Sequence, residues 1–307
     1  MRVVISGGSG LIGNNVTEAL CREDHEVVIL SRNPENLGLL PQGARAVQWN
    51  GTRPGPWQES LEDVDAVINL AGASIAGSGL LPQRWTPERK QTIVESRVLA
   101  GRILTETIRR LEHKPKVFLQ ASAIGYYGPH GEEYLYESHA SGSDFLAKVC
   151  QQWEDASSGV KEAGVRRAVL RIGLVLSPDS GLLPLLKLPF RFFLGGPLGS
   201  GKQYMSWIHI EDVTRAILFL LKYPQSSGVY NLTAPQPVSN LEFSRTLGRW
   251  MHKPSAVPVP AFVLRAMLGE AATLALDGQR VLPRQLLNAG FNFSFDTAEQ
   301  ALADLLT

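Results

Sequence analysis

Residues 3–13 read Val-Val-Ile-Ser-Gly-Gly-Ser-Gly-Leu-Ile-Gly, a short apolar run that passes directly into a cluster of glycines. Gly8, Gly10 and Gly13 satisfy G-x-G-x-x-G, and Gly7, Gly10 and Gly13 satisfy the G-x-x-G-x-x-G variant. This spacing constrains the backbone before any side chain is considered. One glycine permits a tight turn, the next lets the main chain approach a pyrophosphate, and the last lets a helix pack closely on the strand. The stretch Asn14–Asp24 then places Val16, Ala19 and Leu20 on one helical face, so the turn opens a helix. Its first N–H groups and positive dipole end face the space in front of the turn. Gly7, Gly8, Gly10, Leu11, Ile12 and Gly13 are therefore the candidate residues for holding dinucleotide phosphates.

Downstream, the chain alternates apolar runs with amphipathic stretches. Strands are expected at Val3–Ser6, Glu26–Leu30, Ala44–Gln48, Ala66–Leu70, Val117–Ala121 and Ala168–Ile172, with helices at Asn14–Arg22, Pro87–Glu112 and Phe145–Ala163. Buried runs alternating with helices form parallel βαβ units, so the fold class is α/β, a Rossmann doubly wound parallel sheet. Proline and glycine density rises from Pro178 to Gly201, which reads as an irregular excursion. A strand at Trp207–Ile210, a helix at Asp212–Leu221 and a strand at Val229–Leu232 follow, then helices at Leu241–Met251, Ala261–Leu276 and Thr297–Leu305. The expected organisation is a dinucleotide domain from residues 1–174 and 207–233, with 175–206 and 234–307 forming a small, mainly helical substrate domain.

The formal net charge of +1 and the lack of charge runs leave nothing to recruit nucleic acid or an anionic membrane. No apolar stretch reaches spanning length. Cys21 and Cys150 are too few for a disulfide framework, and free thiols point to the cytoplasm. A small-molecule substrate is the expected partner, with the oligomeric state unassigned.

The residues after the second strand select the dinucleotide. An acidic residue there bonds a ribose 2′-OH and repels a 2′-phosphate, whereas an arginine favours NADP. Here the strand ends Ile29-Leu30-Ser31-Arg32, with a hydroxyl and a guanidinium in that place, so the expected cofactor is NADP. The fourth strand ends Asn69-Leu70-Ala71-Gly72, small residues past which a bound cofactor can run.

These motifs, together with Ser122-Ala-Ile-Gly-Tyr-Tyr-Gly128, Leu170-Arg171 and Trp207-Ile-His-Ile-Glu-Asp212, resemble the extended short-chain dehydrogenase/reductases of the sugar-nucleotide epimerase type. Two further stretches, Pro189–Asp212 and Gly278 through Phe291, resemble an atypical subfamily called epimerase family proteins. The resemblance implies an NADP-binding Rossmann domain with a C-terminal cap. It also implies a catalytic Ser, then Tyr-x-x-x-Lys, with Ser122 in the serine place and Lys148 in the lysine place. The position four before Lys148 is Asp144, not tyrosine. Helical spacing puts Asp144 and Lys148 on one face, so Ser122, Asp144 and Lys148 are the catalytic candidates. The same resemblance sets Arg97 where related enzymes often carry asparagine, and Arg97 and Val175 join the cofactor-binding candidates.

Other motifs carry less. Gly196-Pro-Leu-Gly-Ser-Gly-Lys202 has the glycines and lysine of a nucleoside-triphosphate loop, but Gln203 replaces the metal-binding hydroxyl. His209 sits in an apolar alternation as a packing residue, and no cluster has metal-ligand spacing. Two functions share the glycine turn and Arg32. One is an NADP-dependent oxidoreductase or epimerase-like enzyme; the other is an NADP(H)-binding sensor whose chemistry went with the tyrosine.

Overall fold

The first apolar run, Arg2–Ser6 (β1), is an interior strand of a seven-stranded parallel sheet in the computed structural model, which describes residues 1–77, 82–178 and 180–307. The other strands are Glu26–Ser31 (β2), Ala44–Gln48 (β3), Ala66–Asn69 (β4), Val117–Ala123 (β5), Arg166–Ile172 (β6) and Gly228–Leu232 (β7). Their order is β7-β6-β5-β4-β1-β2-β3, with every neighbouring pair parallel. The direction of winding reverses between β1 and β4, and in open α/β sheets ligands bind at such a switch point, outside the carboxyl ends of the strands.

Alternate side chains feed two cores, as the two-residue period of a strand requires. Val3, Ile5, Val27 and Ile29 pack with Leu11–Arg22 (α1) and Ile210–Lys222 (α5). Val4, Val28 and Leu30 pack instead with Ile103, Leu104 and Ile108 of Pro87–Arg110 (α2). Thr86 sets the start of α2: its hydroxyl accepts from the Arg89 N–H at 3.2 Å, and Pro87 follows at the first helical turn, where its missing N–H is harmless. A separate cluster of Leu183, Phe190, Trp207, Phe243, Leu247 and Leu302 joins Leu183–Arg191 (α4), Asn240–Trp250 (α6) and Ala298–Leu306 (α8).

Several expected elements end differently. The expected helix 145–163 stops at Asp155, giving Phe145–Asp155 (α3), because Ser157 and Ser158 turn their hydroxyls back onto the carbonyls of Glu154 and Asp155. The expected helix 261–276 is broken after Ala261–Leu268 (α7) by Gly269 at φ +58° and resumes only at Thr273–Leu276. The excursion read as irregular contains α4, with Pro184 in its first turn, while Asp179 lies outside the described residues. Trp207–His209 forms a strand that pairs with Leu174–Leu176 instead of joining the large sheet. The tail strand Arg280–Val281 pairs with Tyr134–Leu135, so residues far apart in sequence meet beside the carboxyl end of β7, where Asn231 Nδ2 donates to the Leu282 carbonyl.

Candidate functional site

The glycine turn can be read by asking what a Cβ would meet. At Gly7, with φ +74°, it would lie 2.7 Å from the Leu70 carbonyl, and at Gly13 it would lie 2.4 Å from the Gly7 oxygen. At Gly8 it would lie 2.7 Å from Ile29 Cγ2. Those three glycines are demanded by the protein's own packing. Gly10 is different: a Cβ there would come no nearer than 3.4 Å to a single atom, the Gly7 oxygen. Among the described residues nothing fills the space in front of Gly10. Gly10 is also the residue before α1, where no side chain caps the helix, so the first N–H groups of Leu11, Ile12 and Gly13 point into that space. Open room beside uncapped donors suits a dinucleotide pyrophosphate.

At the end of β2, Ser31 is buried and its hydroxyl accepts from the Asn33 N–H at 3.2 Å, while Arg32 is exposed with no ion pair among the described residues. At the neighbouring strand ends a buried polar chain fixes the floor. Ser6 Oγ donates to Asn69 Oδ1 at 2.6 Å, and Asn69 Nδ2 donates to Gln120 Oε1 at 3.0 Å. The Ala71 N–H reaches the same Asn69 oxygen at 3.3 Å, which sets the path of Leu70, Ala71 and Gly72 past the crevice. Val175 approaches from the other side: a Cβ at Gly181 would lie 3.2 Å from Leu11 Cδ2 and 3.5 Å from the Val175 oxygen. The structure thus gathers the glycine turn, the end of β2, residues 70–72 and Val175 around one crevice.

The far end of the crevice is organised otherwise. Ser122, at the end of β5, donates its hydroxyl hydrogen to Glu154 Oε1 at 2.7 Å. Arg171 of β6 grips the same carboxylate with Nε at 2.9 Å and Nη2 at 3.0 Å. Its Nη1 donates to the Tyr127 hydroxyl at 3.1 Å, which in turn donates to Asn231 Oδ1 at 2.7 Å. Burial pulls the Arg171 guanidinium down, but the hydrogen bonds and charge of Glu154 outweigh it and hold the group above its ordinary value. Burial pushes the Tyr127 phenol up to about 12, so it stays protonated.

Asp144 and Lys148 do not form the expected pair. Asp144 precedes α3 and caps it, its Oδ1 accepting from the Ala147 N–H at 3.0 Å. Lys148 is exposed, whereas the helix face turned inward carries Leu146, Val149, Cys150 and Trp153. The Cys150 thiol lies beside Ser122, and burial pushes it up to about 12. That face lines a cavity of about 530 Å³ between the strand ends and helices α4, α6 and α7. Arg97 of α2 also lines it, buried, with Nη1 donating to the carbonyls of Ala73 and Ile93 at 3.0 Å each.

Residues 3–233 match the NAD dependent epimerase/dehydratase family, and residues 259–305 match a domain of unknown function, DUF1731. The chain belongs to the epimerase/dehydratase family. It is 39% identical to an epimerase family protein of Staphylococcus epidermidis, over 99% of each chain. The human epimerase family protein SDR39U1, isoform 2, solved with NADPH, superposes with a TM-score of 0.90 at 31% identity, covering 100% of this chain and 99% of that one. A nucleoside-diphosphate sugar epimerase from Corynebacterium glutamicum superposes at 0.78 and 33% identity, covering 100% of this chain and 58% of the other.

Within this epimerase/dehydratase fold, sequence reasoning passed over Glu154 and Cys150 and treated Arg171 only as part of a motif. One signal was available. A charged residue inside the apolar run of β6 needs a buried counter-charge, although nothing in the spacing names Glu154 as its source. For Lys148 the apolar positions of α3 were the better guide, since they place it on the opposite face.

Proposed function

We propose that this chain binds NADP(H) and acts, as an oxidoreductase or epimerase-like enzyme, on a small carbonyl or hydroxyl compound held in the cavity beside the strand ends. The observation that carries the reading is the open cradle at Gly10 in front of an uncapped helix, with Arg32 in place of an acid at the end of β2. The NADPH in the human relative supports the choice of dinucleotide. Gly7, Gly8, Gly10 and residues 11–13 would take the pyrophosphate, Ser31 and Arg32 the adenosine ribose and its phosphate, and residues 70–72 with Val175 the flanks. NADPH supplies a hydride when bound; the chain supplies its placement and a water-poor pocket. Residues 175–206 and 234–307 act as the substrate-binding cap, and two free cysteines fit a reducing compartment such as the cytoplasm.

The competing reading, an NADP(H) sensor without turnover, draws on Ser122 being engaged by Glu154 and Lys148 facing outward. The cavity favours an enzyme, because a sensor of the dinucleotide alone has no use for it. Titration of nicotinamide fluorescence tests the cofactor. Wild type should bind NADPH at least about tenfold more tightly than NADH, and Arg32→Glu should remove most of that preference. Equal losses for the two dinucleotides would overturn the assignment of Arg32. NADPH oxidation above background with any member of a carbonyl panel separates the enzyme from the sensor.

A further inference from the structure

The cavity wall carries a charge pattern that fits one kind of ligand and opposes another. Its lining is dominated by aliphatic and aromatic side chains, among them Ile124, Leu146, Leu186, Phe243 and Leu247. Among the described residues the charged groups that line it are Arg97 and three acids, Asp144, Glu270 and Asp277. Burial raises the Asp277 carboxyl; Arg265 opposes the shift and the Asp144 charge adds to it. A nucleoside diphosphate needs converging cations or N–H donors for its phosphates. Lys90 pairs with Glu270, so the wall has no surplus of cations to offer such phosphates, only Arg97 beside Asp144 and Asp277 among apolar walls.

Arg97 is the anomaly. It is 6% exposed and has no carboxylate partner among the described residues. Its guanidinium lies 4.8 Å from the centroid of Trp153, on the wall that also holds Cys150. Nη1 is engaged by the Ala73 and Ile93 carbonyls, while Nε and Nη2 make no hydrogen bond among the described residues. A buried cation without a counter-charge is costly, and donors on a cavity wall are answered by an acceptor oxygen on whatever fills the cavity. The mouth agrees with the interior: Leu194, Met267 and Leu274 line the cavity and remain 57%, 54% and 38% exposed. Apolar side chains at both rim and wall suit a ligand that leaves water with most of its surface apolar.

We propose that the cavity takes an apolar carbonyl compound, not a nucleoside-diphosphate sugar, and that Arg97 holds the carbonyl oxygen. The proposal deepens the oxidoreductase reading, on which the reactive role of that oxygen rests. It gives to the substrate an arginine that also lies against Gly72 of the cofactor flank, where a Cβ would sit 3.1 Å from its Cζ.

Prodan, an apolar naphthyl ketone whose emission shifts to the blue on leaving water, is the probe. Wild type should bind it saturably, with and without NADPH. A medium-chain methyl ketone should displace it, and UDP-glucose should not. Arg97→Met should weaken prodan about tenfold, the effect of one charge-assisted hydrogen bond, and should cost NADPH less than it costs prodan. Leu146→Trp, which adds bulk to the cavity wall and keeps Arg97, should abolish prodan binding and spare NADPH. Displacement of prodan by UDP-glucose overturns the proposal. So does an Arg97→Met loss as large for NADPH as for prodan, or no prodan binding to folded wild type. Failure of wild type to bind NADPH would instead defeat the cofactor reading, while prodan binding without NADPH still reports on the cavity.

Discussion

The two ends of the crevice treat their polar groups in opposite ways. At the glycine turn the backbone donors of α1 have no partner among the described residues, and none of those residues crowds the space before Gly10. At the end of β5, Ser122, Glu154, Arg171, Tyr127 and Asn231 satisfy one another in a buried network. A binding site leaves hydrogen-bonding capacity available, whereas a scaffold uses it internally. The difference teaches that the Ser122 hydroxyl hydrogen is committed to Glu154, whereas the turn keeps its donors available to a ligand.

The largest effect should come from breaking the scaffold end. In Glu154→Gln the Arg171 guanidinium loses its buried counter-charge, and removing one partner of such a pair costs about 3–5 kcal/mol. Urea denaturation should show that loss in the midpoint. NADPH affinity of the folded variant should stay within about twofold, since the carboxylate touches none of the phosphate-binding residues. A large loss of NADPH affinity at unchanged stability would erase the division between the two ends.

A smaller contrast can be drawn inside the glycine turn. Gly13→Ala drives a methyl to 2.4 Å from the Gly7 oxygen, an overpacking expected to cost about 1–3 kcal/mol. Gly10→Ala adds a methyl where φ is −83° and no atom of the described residues lies nearer than 3.4 Å, so stability should change by less than about 1 kcal/mol. NADPH affinity should nevertheless fall about tenfold or more in Gly10→Ala, because the methyl occupies the phosphate space. Thermal melting with and without NADPH separates the two outcomes. If Gly10→Ala melted low and bound normally, the open cradle would have been misread.

The same contrast explains what could be read from the amino-acid order. The turn is local: three glycines at fixed spacing, an apolar run before them and an amphipathic stretch after them act over a dozen residues, and the strands follow from runs bounded by breakers. The class of sheet followed too, since strands alternating with helices form parallel connections, whereas its order came only from the structure. The site at β5 is assembled from Ser122, Glu154, Arg171 and Asn231, which lie on different elements and share no spacing rule. Asp144 and Lys148 misled because an i, i+4 spacing fits a helix interior, whereas an aspartate just after Gly142 and Ser143 is also a helix cap. The break at Gly269 and the serine stop of α3 were legible as ordinary termination signals that a continuous apolar pattern overrode.

The subtlest probe of the closed end is its pH dependence. Glu137 Oε1 accepts from the N–H groups of Asn231 and Gln285 at 3.1 Å each, while its buried Oε2 has no partner among the described residues. Burial raises its carboxyl above the ordinary value of 4.5, and the backbone donors and Arg171 oppose the shift without cancelling it. Between the ordinary and the raised value the folded protein therefore binds more protons than the unfolded chain, and stability contributed by Glu137 is lost as pH rises through that window. Glu137→Gln keeps an acceptor for both N–H groups and cannot titrate. The stability of wild type relative to the variant should be greatest below the ordinary carboxyl value and should decline on the way to neutrality. Urea midpoints of the two proteins, measured in parallel across that range, would show it. A constant difference would mean that Glu137 ionises as readily in the folded protein as in the unfolded chain, and the network would then be open to water like the glycine turn.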